Sequence, residues 1–411
     1  MVGQTADRPG PTRRHLLAAG LLGTVAAATG ACAKPAGSVA AQALPAGDDL
    51  VFGASLELTG NGAIAGTGQE RGLRIARDIL NANGVTVGNS IRKIQLNIRD
   101  NGSDPVAAAA IAQQFINAKV AGIIGGGLAG TTIAMAKIAE QHGIPLVSTS
   151  AADAVIAPAA NHRFIFKLGP NAADVATLLR TALDREGSTT PLTKIGVLAG
   201  ANEHGDAGLE AVRAMLNATN RKLTGVERLA DGAQGYQAQA DRIVAGAPDA
   251  VIIWAVSPAS GLAARALRAA KFTRTLLFDS GAASEESLSA DNRAAMADSY
   301  VVGPQILSGN PVAVNTPNAV AQRDFFDRYS RAHGTFSGLS VFGADALNLL
   351  ASAAGRAGAT TPLRIRNELE SAPFDGLAGS YVFSTADHGG MEPDALALFQ
   401  LQRNGGWLQL A

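Results

Sequence analysis

Leu50-Val51-Phe52-Gly53-Ala54-Ser55-Leu56 is an apolar run of strand length, and residues 68–80 follow it with Leu73, Ile75, Ala76, Ile79 and Leu80 on helical spacing. That pair of patterns is one βα unit, and the chain repeats it. Residues 91–100 alternate as a strand. Asp104-Pro105 then opens a helix predicted through Lys119, with the aspartate at the cap and the proline in the first turn. Further strands are predicted over residues 120–125, 144–148, 194–199, 250–256 and 275–279, with amphipathic helices between them. Alternation of this kind predicts an α/β fold of doubly wound parallel sheets covered by helices on both faces. In such sheets small ligands meet the carboxyl ends of the strands.

Bulk properties agree and exclude some functions. The chain has 411 residues, 47% hydrophobic and 17% charged, so after loss of a targeting segment it is long enough for two domains. Lys plus Arg and Asp plus Glu each number 34, which gives no global attraction to nucleic acid or anionic lipid. The single cysteine, Cys32, excludes an internal disulfide, a CxxC redox pair and a cysteine-rich zinc site.

The position of that cysteine carries more information. Arg13 and Arg14 precede an almost wholly apolar or small run over residues 16–31, the layout of a signal peptide, and the run is short for a membrane-spanning helix. It closes on Thr29-Gly30-Ala31 before Cys32, a lipobox-like end with threonine where an aliphatic residue is usual. Residues 1–32 therefore read as a signal peptide and Cys32 as the lipidated first residue, with cleavage after Ala41-Gln42-Ala43 as the alternative. The paired arginines leave the twin-arginine and general secretory routes both open. Residues 33–48, rich in Ala, Gly, Ser and Pro, read as a flexible tether.

Chemistry is expected in the loops at strand ends. Gly125-Gly126-Gly127-Leu128-Ala129-Gly130 is a literal G-x-G-x-x-G between a strand and a helix. The acid a dinucleotide ribose requires is missing from Ile144-Pro145-Leu146-Val147-Ser148-Thr149-Ser150, and the motif falls in the third βα unit rather than the first. A nest of backbone amides for a polar ligand group, or a tight turn serving packing alone, are the other readings. The six histidines include no pair at metal-ligand spacing, and no G-x-S-x-G elbow occurs, so no catalytic residue, metal or cofactor is expected. His204, just past a strand in Gly200-Ala201-Asn202-Glu203-His204-Gly205, reads as a ligand contact or a solvated loop histidine.

A resemblance then covers nearly everything after the tether. Phe52-Gly53-Ala54-Ser55-Leu56-Glu57-Leu58-Thr59-Gly60, Asp100-Asn101-Gly102-Ser103-Asp104-Pro105, Val120-Ala121-Gly122-Ile123-Ile124-Gly125, Gly143-Ile144-Pro145-Leu146-Val147-Ser148 and Pro248-Asp249-Ala250-Val251 occur in that order. Gly343-Ala344-Asp345-Ala346-Leu347 and the stretch 374–383 follow. The ordered set resembles the type I periplasmic binding proteins of branched-chain amino acid importers. The resemblance implies two lobes, residues 49–167 plus 301–385 and residues 168–300 plus 386–411. They would be joined by a three-crossing hinge near Lys167, near Val301 and at about Thr385, with ligand trapped as the lobes close.

The family's amino acid clamp carries over only in part. Thr59 and Gly60 of the first loop, and Gly127, Leu128, Ala129, Gly130 and Thr131 of the glycine loop, fall at cleft positions, but Ala129 stands where a serine usually meets the ligand carboxylate. Ser148, Ser150, Ala151 and Ala152 follow the next strand, and Ala152 replaces a threonine. In the second lobe His204 replaces a tyrosine, Val256 stands near an aromatic position, and Ser280 stands where an acid meets the ligand ammonium, with Asp279 one position away. Trp254 reads as a stacking surface or a core aromatic.

The chain is therefore expected to be an exported, monomeric lipoprotein on the outer face of the cytoplasmic membrane, or periplasmic. It would deliver a small polar or amphipathic metabolite, not a branched-chain amino acid, to an ABC-type permease, with no nucleic acid partner. Two alternatives stand beside it: a ligand-sensing receptor of the same fold, expected to carry a membrane span and an output domain, and a dinucleotide-dependent enzyme.

Overall fold

The computed structural model describes residues 47–309 and 316–410; Cys32 and most of the expected signal and tether lie outside them. The first βα unit forms as β1 (Leu50–Leu56) and α1 (Ala63–Asn83), a helix one turn longer at its start than the apolar spacing indicates. The segment expected as one strand divides: β2 (Val85–Val87) and β3 (Ser90–Arg92) make a hairpin, and β4 (Ile94–Asp100) joins the sheet beside β1. Asp104 caps α2 (Pro105–Asn117) by accepting the Val106 N–H, with Pro105 at the first helical position. Then come β5 (Gly122–Gly125), α3 (Ala129–His142), β6 (Leu146–Ser148) and β7 (Ile165–Lys167). These strands form a wholly parallel sheet in the order β4-β1-β5-β6-β7.

The second sheet begins after α4 (Ala172–Glu186), with β8 (Lys194–Gly200), α5 (Glu203–Asn217), β9 (Lys222–Leu229) and α6 (Gln237–Ala245). It continues through β10 (Ala250–Trp254), α7 (Ala259–Ala269), β11 (Thr275–Phe278), α8 (Ala290–Met296) and β12 (Tyr300–Pro304). The chain then returns to the first lobe with α9 (Pro317–His333), α10 (Ser340–Ala357), α11 (Pro362–Leu369) and the short hairpin β13 (Phe374–Asp375) and β14 (Ser380–Tyr381). It ends in the second sheet with β15 (Leu396–Leu401) and β16 (Trp407–Gln409). That sheet runs β16-β15-β12-β11-β10-β8-β9 and is mixed, because the returning β15 lies antiparallel to β12 and is turned back on itself by β16.

Two features fix how the lobes meet. Near the crossing expected at Val301, residues 300–304 are bonded into the second sheet, and the chain leaves it after Pro304. At the first crossing Lys167 is fully buried: its ammonium donates to Gly169 O (2.8 Å), Pro170 O (3.1 Å) and Asn171 Oδ1 (2.9 Å), and its own N–H donates to His388 O on the third crossing. Burial pulls the Lys167 ammonium below its ordinary range, against the attraction of Asp153 at 3.2 Å.

Within the first lobe α1 and α10 meet almost backbone to backbone. A Cβ on Gly72 would lie 2.0 Å from Ser340 O, and one on Gly343 would lie 2.2 Å from Gln69 O, so only glycine permits the seam. Most of α10 is buried there, including Val341, Phe342, Leu347 and Leu350.

Candidate functional site

Between the lobes lies a cavity of about 680 Å³. Its first wall is made of loops at the carboxyl ends of β1, β4 and β5, including Gly60, Asn61, Ser103 and the segment 127–131. The second wall is made of Asn202, Glu203 and His204 at the start of α5, Asp231 to Gln234 after β9, and Val256 to Ala259 with Arg265 around α7. The volume falls within the range typical of small-molecule sites, roughly 300–1,000 Å³.

The glycine loop is anchored from below by an acid. Glu57, one residue past β1 and buried, accepts the Gly127 N–H at 2.9 Å, the Thr131 hydroxyl at 2.6 Å and the Asn101 amide at 3.2 Å. A Cβ on Gly126 would lie 2.2 Å from Glu57 Oε2, so any larger residue there would push the carboxyl off its donors. Burial pushes the Glu57 carboxyl above its usual range, and its three donors pull it part of the way back. The Gly127 amide, which the sequence offered as part of an anion nest, thus already holds a carboxylate of the protein. A dinucleotide phosphate placed at that loop would meet this acid.

The second wall has a comparable internal bond. His204 Nε2 lies 2.7 Å from Asp279 Oδ2, and Asp279 also accepts the Ala255 N–H and the Gly281 N–H, both at 3.0 Å. Asp279 is wholly buried and lines no part of the cavity. Asn202 caps α5 through the Gly205 N–H and donates to Asp231 Oδ1 at 2.9 Å. Burial pushes the Asp231 carboxyl up, with Asn202 opposing. Among the described residues no group of three or more His, Cys, Asp or Glu could hold a metal ion, and no helix is long and apolar enough to cross a membrane.

A family model for periplasmic binding proteins matches residues 50–406. The chain belongs to that family. No curated protein sequence matches it. Among solved structures, an extracellular ligand-binding receptor from Rhodopseudomonas palustris HaA2 is similar at 22% identity and TM-score 0.78, covering 88% of this chain and 99% of that one. The branched-chain amino acid transporter substrate-binding protein LivJ from Streptococcus pneumoniae, in complex with isoleucine, is similar at 19% identity and TM-score 0.73, covering 88% and 100%. A solute-binding protein of an R. palustris ABC transporter, in complex with benzoate, is similar at 19% identity and TM-score 0.75, covering 88% and 96%.

The structure of this periplasmic binding protein brings only part of the expected set to the cleft. Gly60, Gly127 to Thr131, His204 and Val256 line the main cavity, while Ala151 and Ser280 line its inner end. Six others are used elsewhere. Thr59 is exposed and donates to Asp100 Oδ2 at 2.7 Å. Ser148 accepts the Ser150 N–H, and Ser150 accepts the Ala152 N–H, so these hydroxyls shape the turn after β6. Ala152 is buried in the core beneath α3, and Asp279 serves His204 as described. Trp254 is 1% exposed and α5 lies against it, since a Cβ on Gly208 would fall 2.3 Å from the indole; it is a core aromatic. Sequence reasoning missed Asn61, Ser103, Asn202, Asp231, Arg265 and Gln69, which line the cleft, and Glu57, which supports it. Ser103 lies in a stretch already quoted, and Asn61 is one residue past another. Nothing local singles out Gln69, which sits inside a helical pattern.

Proposed function

We propose that this periplasmic binding protein is the substrate-binding component of an ABC-type importer, trapping a small polar or amphipathic metabolite other than a branched-chain amino acid as its lobes close. The observation that carries this reading is the cavity of about 680 Å³ with walls drawn from both lobes, together with the state of the groups that would clamp an amino acid. Ala129 and Ser280 remove two partners at the cleft; of the residues able to replace them, Thr131 donates its hydroxyl to Glu57, Asp279 is bonded to His204, and Ser150 accepts the Ala152 N–H in the turn after β6. Each hydrogen bond to a charged group is worth roughly 1.5–3 kcal/mol, so the loss of both, about 4 kcal/mol, weakens zwitterion binding around a thousandfold. The ligands of the similar structures, isoleucine in one and benzoate in another, support a fold that accepts different cargoes by changing cleft residues.

Native mass spectrometry of protein purified without denaturation, followed by a thermal-shift screen of small metabolites, tests the reading. A bound or screened metabolite that raises the melting midpoint by mass action is expected. Micromolar binding of a nicotinamide or flavin dinucleotide would overturn it in favour of an enzyme. Attachment belongs to the same proposal: Cys32, at the end of the apolar run, becomes the lipidated first residue and residues 33–48 its tether. Cys32→Ala should release the protein from the membrane fraction; retention equal to the parent, or a mature N-terminus well beyond residue 32, would contradict it.

A further inference from the structure

The charged groups of the main cavity all stand on one wall. The first-lobe lining is free of ionisable side chains. The second-lobe lining carries Glu203 and Asp231 in one part and Arg265 in another, and among the described residues Arg265 is the one Lys or Arg that borders the cavity. The charges that act on Asp231 are those of Glu203 and His204, so the wall is acidic beside α5 and β9 and basic beside α7.

The helix α7 places and orients that arginine. Ala259, Leu262 and Arg265 all line the cavity and recur at helical spacing, so one face of α7 presents an apolar strip that closes on a guanidinium. A long helical side chain leans back over the turn before its own Cα. Arg265 does so: its Nη1 donates to Asn292 Oδ1, and Asn292 lies against Gly261, one turn earlier, where a Cβ would run into it. Asn292 is fully buried and is fixed in turn by donating to Glu286 O at 3.1 Å and to the Glu286 carboxyl. The guanidinium is thus held by a neutral group. Its other donors have no partner among the described residues, and none of these is buried. Glu286 is the acid whose charge reaches Arg265, but Asn292 is bonded between them, and burial pushes the Glu286 carboxyl above its usual range, which weakens it as a counter-charge.

Given the reading of the cleft as a ligand trap, we infer that Arg265 is its specificity-determining residue and that the trapped metabolite is an amphipathic carboxylate, its apolar body along Ala259 and Leu262 and its anionic end on the Arg265 guanidinium. A guanidinium offers parallel N–H donors that match the two oxygens of a carboxylate, and the amide or amine of the same body has no such match. Elsewhere in the cleft Glu203, Asp231 and Glu57 repel a carboxylate, so the face of α7 is the place left for it.

The test is calorimetric titration of the purified parent, Arg265→Met and Arg265→Lys proteins with hexanoate, phenylacetate and the corresponding amides and amines, alongside melting midpoints and co-purified ligand by native mass spectrometry. The parent should bind each acid at least about tenfold more tightly than its amide or amine. Arg265→Met should erase that preference, and Arg265→Lys, which keeps the charge and loses the fork, should retain part of it. A role confined to holding Asn292 would lower the melting midpoint of Arg265→Met and leave the ratio of acid to amide affinity unchanged. Three results would overturn the inference. They are amides or amines binding the parent as tightly as acids, none of the probes binding the parent, or Arg265→Met keeping the acid preference. The trap survives any of these where the parent carries a co-purified metabolite or responds to one in the thermal-shift screen; a parent that does neither removes the trap itself.

Discussion

Glu57 and Asp345 are both buried carboxylates held by three donors, and they do opposite things for the molecule. Asp345, in the middle of α10, accepts the Leu377 N–H (2.7 Å), the Ala378 N–H (2.9 Å) and the Tyr381 hydroxyl (3.2 Å), tying the turn before β14 to the helix. All of those donors lie within the core, and burial pushes the Asp345 carboxyl up to about 7 against them. Glu57 draws two of its three donors from the wall of the cleft, so it occupies an amide and a hydroxyl that border the cavity. The same bonding pattern ties core elements together in one place and fills donors at the cleft wall in the other. What separates them is whether water or a ligand can reach the donors once the acid is gone.

That difference is open to mutation. Asp345→Ala would strand two backbone N–H groups and a phenol away from water, and at roughly 1–3 kcal/mol for each unsatisfied group the expected loss is about 4 kcal/mol, read from urea unfolding. A loss below about 1 kcal/mol would show that the Asp345 site hydrates as freely as the cleft, and the contrast would fail.

The pH dependence of Asp345 is nearly as large and has a definite sign. Its folded carboxyl titrates at about 7 and its unfolded one near 3.8, so the folded state holds the extra proton between those values. Its contribution is complete below about pH 4 and is lost as pH rises to about 7, at most about 4 kcal/mol at 1.36 kcal/mol per pKa unit. Glu57, also raised, acts in the same direction. Asp345→Asn should therefore flatten the fall of stability with rising pH relative to the parent. Identical slopes in the two proteins would place the proton elsewhere.

Glu57→Ala sharpens the other side. Two of its three freed donors, the Gly127 N–H and the Thr131 hydroxyl, border the cavity, where water can satisfy them, so the expected cost is only about 2 kcal/mol. The variant should gain affinity for a small carboxylate such as benzoate, at least tenfold by calorimetry, because the Gly127 N–H and the Thr131 hydroxyl become available. A stability loss equal to that of Asp345→Ala, with no gain in carboxylate binding, would erase the distinction.

How much of this was legible depended on how local each cause is. The βα order of both sheets could be read because β1, β5, β8, β10 and β11 are continuous, mostly apolar runs that are largely buried. β7 escaped because three residues carry no pattern. β9 escaped because it is an edge strand with half-buried residues and no clean alternation. β15 and β16 were missed because their sheet lies across a crossing. Strand ends located the glycine loop Gly127 to Gly130 and His204, while the family resemblance added Thr131 and Val256, and all of them line the cavity. Which hydroxyls and acids remain free for a ligand was not legible. Asp279 is engaged by residues of two neighbouring segments, and Gln69 is buried by a helix far along the chain.

The central claim, a cleft whose amino acid clamp has been dismantled and whose loop amide is filled from within, is tested most directly by calorimetric titration of the purified protein with leucine, isoleucine and valine. The account predicts no binding tighter than about 100 µM for any of them, in line with a thousandfold loss from a submicromolar site. Submicromolar binding of any one would contradict it, by showing that Thr131, Ser150 or Asp279 leaves its internal partner to rebuild the clamp.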